Sequence, residues 1–282
     1  MFTVTWHNSV FEETAIGIED CLLLMGFRVE KVFFDRNLKH LKHLKHLKHN
    51  AHRDNVHIIL GFHRFKGPTP KNMTVVQSEQ PVSKWTTEDY IYRLKAVDIV
   101  WDFSEKNCEF LRCQGVNSYY VPIRVPMGVF VENKLNLSEE YIEEYIDVLF
   151  YGAFHERRQR VELHLKRRGL NVVFRYNNLF PHERDRLISV SKLVLNIHYW
   201  PESSLETHRI EYLCSRSKCV TSERSSDRRL DDVYKNSVSF YDIEDFVDAI
   251  VYIVRDKKYR QEMEIASQKE CYDRQMNQAQ LK

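Results

Sequence analysis

The chain has 282 residues, 43% hydrophobic and 29% charged, a balance that fits about two folded domains and excludes an intrinsically disordered chain. Lys plus Arg number 42 against 40 for Asp plus Glu, and a net charge of +2 argues against a dedicated nucleic-acid binder. No apolar run approaches the ~18 residues of a membrane span, and MFTVTWHNSVFEETA lacks the basic start and long apolar stretch of a secretory signal.

In chain order, FTVTW (2–6) reads as a strand and residues 12–26 as a helix carrying Ala15, Ile18, Leu22 and Met25 on one side. RVEKVFF (28–34), VHIILG (56–61) and MTVVQS (73–78) read as further strands. EDYIYRLKA (88–96) is helical, VDIVW (97–101) a strand, SEKNCEFLRCQG (104–115) a helix stopped by Gly115, and NSYYVPI (117–123) a strand. The proline-marked VPIRVPMG (121–128) breaks the alternation, and the polar ENKLNLSEEYIEEY that follows reads as containing a short helix. Alternation then restarts with DVLFYG (147–152), a helix over 155–169, LNVVFRY (170–176), a helix over 181–191, KLVLNIHYW (192–200), a helix over 205–215 and KCVTSE (218–223). Ile243, Phe246, Val247, Ile250, Val251 and Val254 fall on one helical face, and a charged last helix follows.

Strands alternating with helices mean parallel sheets built from βαβ units, hence an α/β protein of two Rossmann-like halves. The expected division is an N-terminal domain over 1–130, a linker over 131–146, a C-terminal domain over 147–260 and a last helix over 261–282 that crosses back. The eight glycines, none beyond Gly169, form neither GxGxxG nor GxxxxGK, which sets aside Rossmann dehydrogenases and P-loop ATPases. Six scattered cysteines with no CxxC pair suit free thiols in a reducing compartment such as the cytoplasm. LKHLKHLKHLKH (38–49) repeats every three residues, a period that builds no apolar helix stripe, and no Cys or carboxylate within it completes a metal set. It reads as a surface insertion. A histidine-rich metal-binding or structural protein is the other reading of this tract, and its deletion is the test.

Ligands of such sheets sit beyond the carboxyl ends of the strands. In FYGAFHERR a strand runs into Gly152, and Arg157 and Arg158 lie in the next helix's first turn, where cations are disfavoured unless an anion is bound nearby. In LNIHYWPESSLETHRIEYLC a strand ends near His198, and the next helix carries Glu206, His208, Arg209 and Glu211. A carboxylate can accept ribose hydroxyls and an arginine can meet phosphate. Solvated arginines and ordinary first-turn carboxylates remain the alternatives.

YGAFHERR, RDRLISVSKLVLNIHYW and ETHRIEYLCSRSKCVTSE, in this order and spacing, resemble the C-terminal domain of GT-B glycosyltransferases. The resemblance covers about 145–260 and reaches the N-terminal half in outline. It implies two Rossmann-like domains facing a central cleft, with no resident cofactor and a nucleotide-diphosphate sugar, UDP favoured, as co-substrate. Gly152 and Arg158 then map to the diphosphate and Glu211 to the ribose, with Arg157, His198, Glu206, His208 and Arg209 beside them. Ser203 stands eight before Glu211 where retaining members carry a second glutamate, and Arg216 stands where they carry glycine, which leans toward inversion. The absence of Asp-x-Asp suits metal-independent transfer. The His-Leu-Lys expansion and small size resemble enzymes of chloroviruses and similar large DNA viruses, of the xylosyltransferase class. That implies a glycan or glycoprotein acceptor on a capsid, and the host cytoplasm as location.

An inverting transferase needs a base at the acceptor hydroxyl. Strand-end position nominates Glu79, Glu13 and His63, with Asp102 behind them. Trp85, Trp101 and Trp200 offer sugar-stacking faces or core packing. The competing function is a module of the same fold that binds a nucleotide or glycan without turnover.

Overall fold

The computed structural model describes residues 1–6, 9–33, 55–65, 72–123, 125–126, 145–176, 179 and 181–279. The Leu-Lys-His repeat (38–49), residues 131–144 of the expected linker and the helix read within ENKLNLSEEYIEEY lie outside them. The chain divides into two compact units, Met1–Met127 and Gly128–Lys282.

In the first unit, β1 (Phe2–Trp6), β2 (Val29–Phe33), β3 (Val56–Leu60), β4 (Met73–Gln77), β5 (Ile99–Asp102) and β6 (Ser118–Tyr120) form one parallel sheet in the order β2-β1-β3-β4-β5-β6. Its helices are α1 (Glu12–Leu24), α2 (Glu88–Lys95) and α3 (Glu105–Cys113). The two-residue period of a strand sorts the core. Ile58 and Leu60 join Ala15 and Leu22 of α1 on one face, while Ile59 joins Tyr90, Leu94 and Leu111 of α2 and α3 on the other. Burial on both faces is why these strands read as continuous apolar runs. Each large side chain so buried contributes roughly 1.5–3 kcal/mol. Thr87 and Ser104 cap α2 and α3 by accepting from the backbone N–H groups of Tyr90 (3.1 Å) and Asn107 (3.2 Å). Gly115, at φ +82°, ends the turn after α3 in the left-handed region that favours glycine.

In the second unit, β7 (Ile146–Gly152), β8 (Val172–Tyr176), β9 (Ser191–Asn196), β10 (Val220–Glu223) and β11 (Ser239–Tyr241) form a second parallel sheet in the order β11-β10-β9-β7-β8. Its helices are α4 (Glu156–Arg167), α5 (Pro181–Ser189), α6 (Thr207–Ser215), α7 (Arg228–Tyr234), α8 (Phe246–Arg255) and α9 (Lys257–Ala279). Phe246, Ile250 and Ile253 of α8 and Val161 and Leu165 of α4 close one core over Val148, Phe150, Leu193 and Leu195. α9 packs on α6 and α8. Among the described residues no helix is long and apolar enough to cross a membrane.

Two features depart from the sequence reading. β9 stops at Asn196 rather than running to Trp200, because its pairing with β10 ends there and Arg158 takes the Ile197 carbonyl. SSDRRLDDVYK, to which the sequence pattern assigns no element, holds α7, whose first turn is capped by Asp227 onto the Leu230 N–H at 3.2 Å, followed by the short β11.

Candidate functional site

In both sheets the strand order reverses at one point, between β1 and β3 in the first and between β7 and β9 in the second. Crevices for ligands open at the carboxyl ends of strands at such points. At the β7/β9 point the second unit gathers most of the candidates. β7 ends at Gly152, whose φ of +156° strains any other residue, and a Cβ there would meet Arg209 Nη2 at 3.1 Å and Arg158 Nη1 at 3.4 Å. The missing side chain is what lets two guanidinium groups approach one strand end.

The two arginines have different duties. Arg158 is 4% exposed, and its Nε and Nη2 donate to Ile197 O at 3.0 and 2.7 Å while Nη1 donates to Ala153 O at 2.8 Å. It lies 5.0 Å over the Phe150 ring and 5.4 Å from that of Tyr199. Burial, with Arg209 beside it, lowers its pKa to about 10. It ties the loops after β7 and β9 together. Arg209, half-buried, lies 5.0 Å over the Tyr151 ring and donates to Asn196 Oδ1 at 3.3 Å. It is the cation better placed to meet an anion. Arg157 is held differently again: its guanidinium forms a two-pronged pair with Glu223 at the end of β10 and reaches His198 O at 3.3 Å.

His198 is fully buried. Its Nδ1 lies 2.7 Å from Glu206 Oε2 and its Nε2 3.1 Å from Glu223 O. Both neighbours are acceptors, so the ring is satisfied on both sides only when doubly protonated. Glu206, at the start of α6, also accepts from Asn196 Nδ2 at 2.8 Å. Burial pushes its carboxyl up, but His198, Arg209 and Asn196 outweigh that and hold it down at about 2. Glu206 turns toward His198 and does not cap α6 with its side chain; the first-turn N–H groups of Thr207 and Arg209 donate instead to Leu205 O at 2.9 Å and Glu206 O at 3.0 Å. His208, which burial lowers to about 4, is neutral at physiological pH and adds no charge.

Glu211 does not join this group, contrary to the ribose role expected for it. It is 2% exposed, and its carboxylate accepts from Tyr234 OH at 2.8 Å, Cys271 Sγ at 3.0 Å and Arg274 Nε at 2.9 Å. These partners come from α7 and α9, so Glu211 pins three helices together. Asn196 and Glu223 were not singled out from the sequence. Both lie at the ends of strands, the one signal that could have found them.

In the first unit the structure brings two base candidates into contact. His63, after β3, places Nδ1 3.0 Å from Glu79 Oε1, after β4. Ser83 donates its hydroxyl to Glu79 Oε2 at 3.0 Å. Trp85, 41% exposed, lies 5.4 Å from the His63 ring, with Arg64 5.1 Å and Lys84 5.5 Å from its own centre. Glu13 sits on another element, the first turn of α1, where a carboxylate favours the helix dipole. Among the described residues no group of three or more His, Cys, Asp or Glu is placed to hold a metal ion.

No protein-family model and no curated protein matches the chain. Solved structures do. Sucrose-phosphate synthase from Thermosynechococcus elongatus is 11% identical with a TM-score of 0.61, covering 99% of this chain and 98% of that one. Anabaena HepE, solved in complex with UDP-glucose, is 10% identical with a TM-score of 0.60 and the same coverage. WaaG, a glycosyltransferase involved in lipopolysaccharide biosynthesis, is 10% identical with a TM-score of 0.57, again covering 99% and 98%. The chain has the GT-B fold. Within that fold, the β7/β9 strand ends and the His63–Glu79 contact are the chemically loaded positions of the second and first unit respectively.

Proposed function

We propose that this chain is a glycosyltransferase drawing on a UDP-sugar. The observation that carries the reading is the approach of Arg209 and Arg158 to Gly152, beside the start of α6, at the switch point of the second sheet. Two guanidinium groups at one strand end suit a diphosphate. Arg209 meets the diphosphate, Arg158 and Arg157 hold the loops that shape the site, and Glu206 takes the ribose-side role expected of Glu211. The UDP-glucose bound by HepE supports UDP as the nucleotide. In the first unit, His63 takes the proton of the acceptor hydroxyl as the new C–O bond forms, and the Glu79 carboxylate beside Nδ1 stabilises the resulting imidazolium. Transfer is inverting and metal-independent, and Trp85 offers the acceptor sugar a stacking face. The resemblance to large-virus enzymes extends the proposal to xylose as the sugar and a capsid glycan as the acceptor, made in the host cytoplasm.

Calorimetric titration with UDP is the test. Arg209→Ala should raise the dissociation constant by about tenfold or more, as expected for loss of a charged hydrogen bond of ~1.5–3 kcal/mol. Gly152→Ala should also weaken UDP binding, because its Cβ displaces Arg209. Unchanged UDP affinity in both variants, with the fold intact by circular dichroism, sinks the donor assignment. If UDP-sugars bind saturably and no UDP is released with any glycan acceptor, the non-catalytic module is the correct reading.

A further inference from the structure

One cavity belongs to neither group. It lies within the first unit, between α1 and the ends of β4 and β5, has a volume of about 180 Å³, and is lined chiefly by Ile18, Cys21, Leu22, Val76 and Trp101. Its polar lining is Thr14 of α1, 4% exposed, and Asp102, 1% exposed. Asp102 Oδ1 accepts from the Ser104 N–H at 2.9 Å and from Asn107 Nδ2 at 3.1 Å, whereas Oδ2 meets no hydrogen-bond partner among the described residues. Burial raises this carboxyl to about 8, against the opposing pull of the Ser104, Asn107 and Phe103 donors. At neutral pH it is therefore protonated. With Oδ1 already accepting two bonds, the proton belongs on Oδ2.

The Thr14 hydroxyl shares the wall but does not ionise between pH 6.5 and 9.5, so a pH-dependent donor there is Asp102 or another titratable neighbour. Tyr90 of α2 gives its hydroxyl to Gln77 Oε1 at 2.6 Å. Burial pushes Cys108 of α3 up to about 12, and Glu105 of α3 is paired with Arg112 at 2.7 Å. Glu79 holds Ser83, and Cys21 of α1 shares the cavity wall. A buried O–H without an acceptor is costly, and a guest oxygen that accepts from it removes that cost. Apolar cavities of about 150 Å³ already admit a benzene ring.

We propose that this cavity is a binding site for an uncharged, largely apolar small molecule of about eight to ten non-hydrogen atoms, whose one oxygen accepts a hydrogen bond from Asp102. The site is separate from the transferase reading and survives its failure. Two probes of equal size separate its parts. Anisole carries an accepting ether oxygen and no donor, and ethylbenzene carries neither. Titrated into the full chain at pH 6.5, anisole should bind one site at least fivefold more tightly than ethylbenzene. At pH 9.5 the carboxylate cannot donate, and the anisole advantage should vanish. Asp102→Asn keeps an N–H donor at that position and should hold anisole equally at both pH values, which also distinguishes Asp102 from Cys21 as the titrating group. Ile18→Trp, which fills the cavity, should abolish binding of both probes. The proposal is overturned if ethylbenzene matches anisole at pH 6.5. It is also overturned if the advantage persists at pH 9.5, if Asp102→Asn loses anisole, or if a folded Ile18→Trp variant still binds it.

Discussion

The two sheets share a strand order at their centres, yet their carboxyl ends carry opposite chemistry. In the second unit three arginines, two glutamates and a histidine share one strand-end rim, and each has a named partner: Arg157 with Glu223, His198 with Glu206, Arg158 with carbonyls, Arg209 with Asn196. In the first unit one carboxyl, held by Ser104 and Asn107, lines a mostly apolar cavity, and His63 meets Glu79, which also takes the Ser83 hydroxyl. Topology decides where a ligand can lie, and residue type decides which one. A rim of fixed cations is organised for a charged guest before it arrives, so little reorganisation is needed on binding. A protonated acid in a cavity selects against charge instead.

The comparison breaks most visibly at Glu211, whose carboxylate is structural despite lying on the helix that begins at the rim. Glu211→Ala leaves the buried Arg274 guanidinium without its counter-ion and should cost about 3–5 kcal/mol in urea unfolding. UDP affinity should change far less than stability once the folded fraction is taken into account. A stability loss under 1 kcal/mol would show that Glu211 is not the tie described.

A second measurement sharpens the contrast, because the two buried carboxyls link stability to pH with opposite sign. Glu206 is depressed to about 2 in the folded protein, so its contribution is present above the unfolded value near 4.5 and is lost as pH falls toward 2. Asp102 is raised from 3.8 to about 8, so the folded state holds an extra proton in that window and stability falls as pH rises through it. Asp102→Asn should flatten the decline between pH 4 and 8 and leave the acid limb in place. An unchanged profile on the alkaline side would contradict the buried-acid assignment.

The smallest effect is expected at Ser217, which holds φ +55° just after α6 while its N–H bonds Cys214 O and the Lys218 N–H bonds Leu213 O. This is a helix stop that favours glycine. Ser217→Gly should stabilise the second unit by up to about 1 kcal/mol in thermal melts.

Much of the fold was legible because buried parallel strands such as VHIIL and KLVLN announce themselves as apolar runs, and α8 shows its apolar face in spacing alone. α7 and β11 were not, since a seven-residue helix with four charged residues and a three-residue edge strand carry no periodic signal. Among the candidates, Gly152 was legible from its strand-end position, and Glu206 and Arg209 from their three-residue spacing at a helix start. Glu211 was misread because the residues that claim it lie about sixty positions away, on a helix whose packing no local spacing reveals. Asn196 and Glu223 were passed over as ordinary strand residues.

The Glu211 tie also sets an order of events during synthesis. Glu211 leaves the ribosome 63 residues before Arg274. At the usual rate of 5–20 residues per second, that is a wait of roughly 3 to 13 s with a charge meant for the interior still in water. The second sheet can collect its strands in that interval, but α6 cannot settle until α9 arrives. The last helix is therefore the closing step of this unit, and a growing chain should become protease-resistant there only when residues near 275 have emerged.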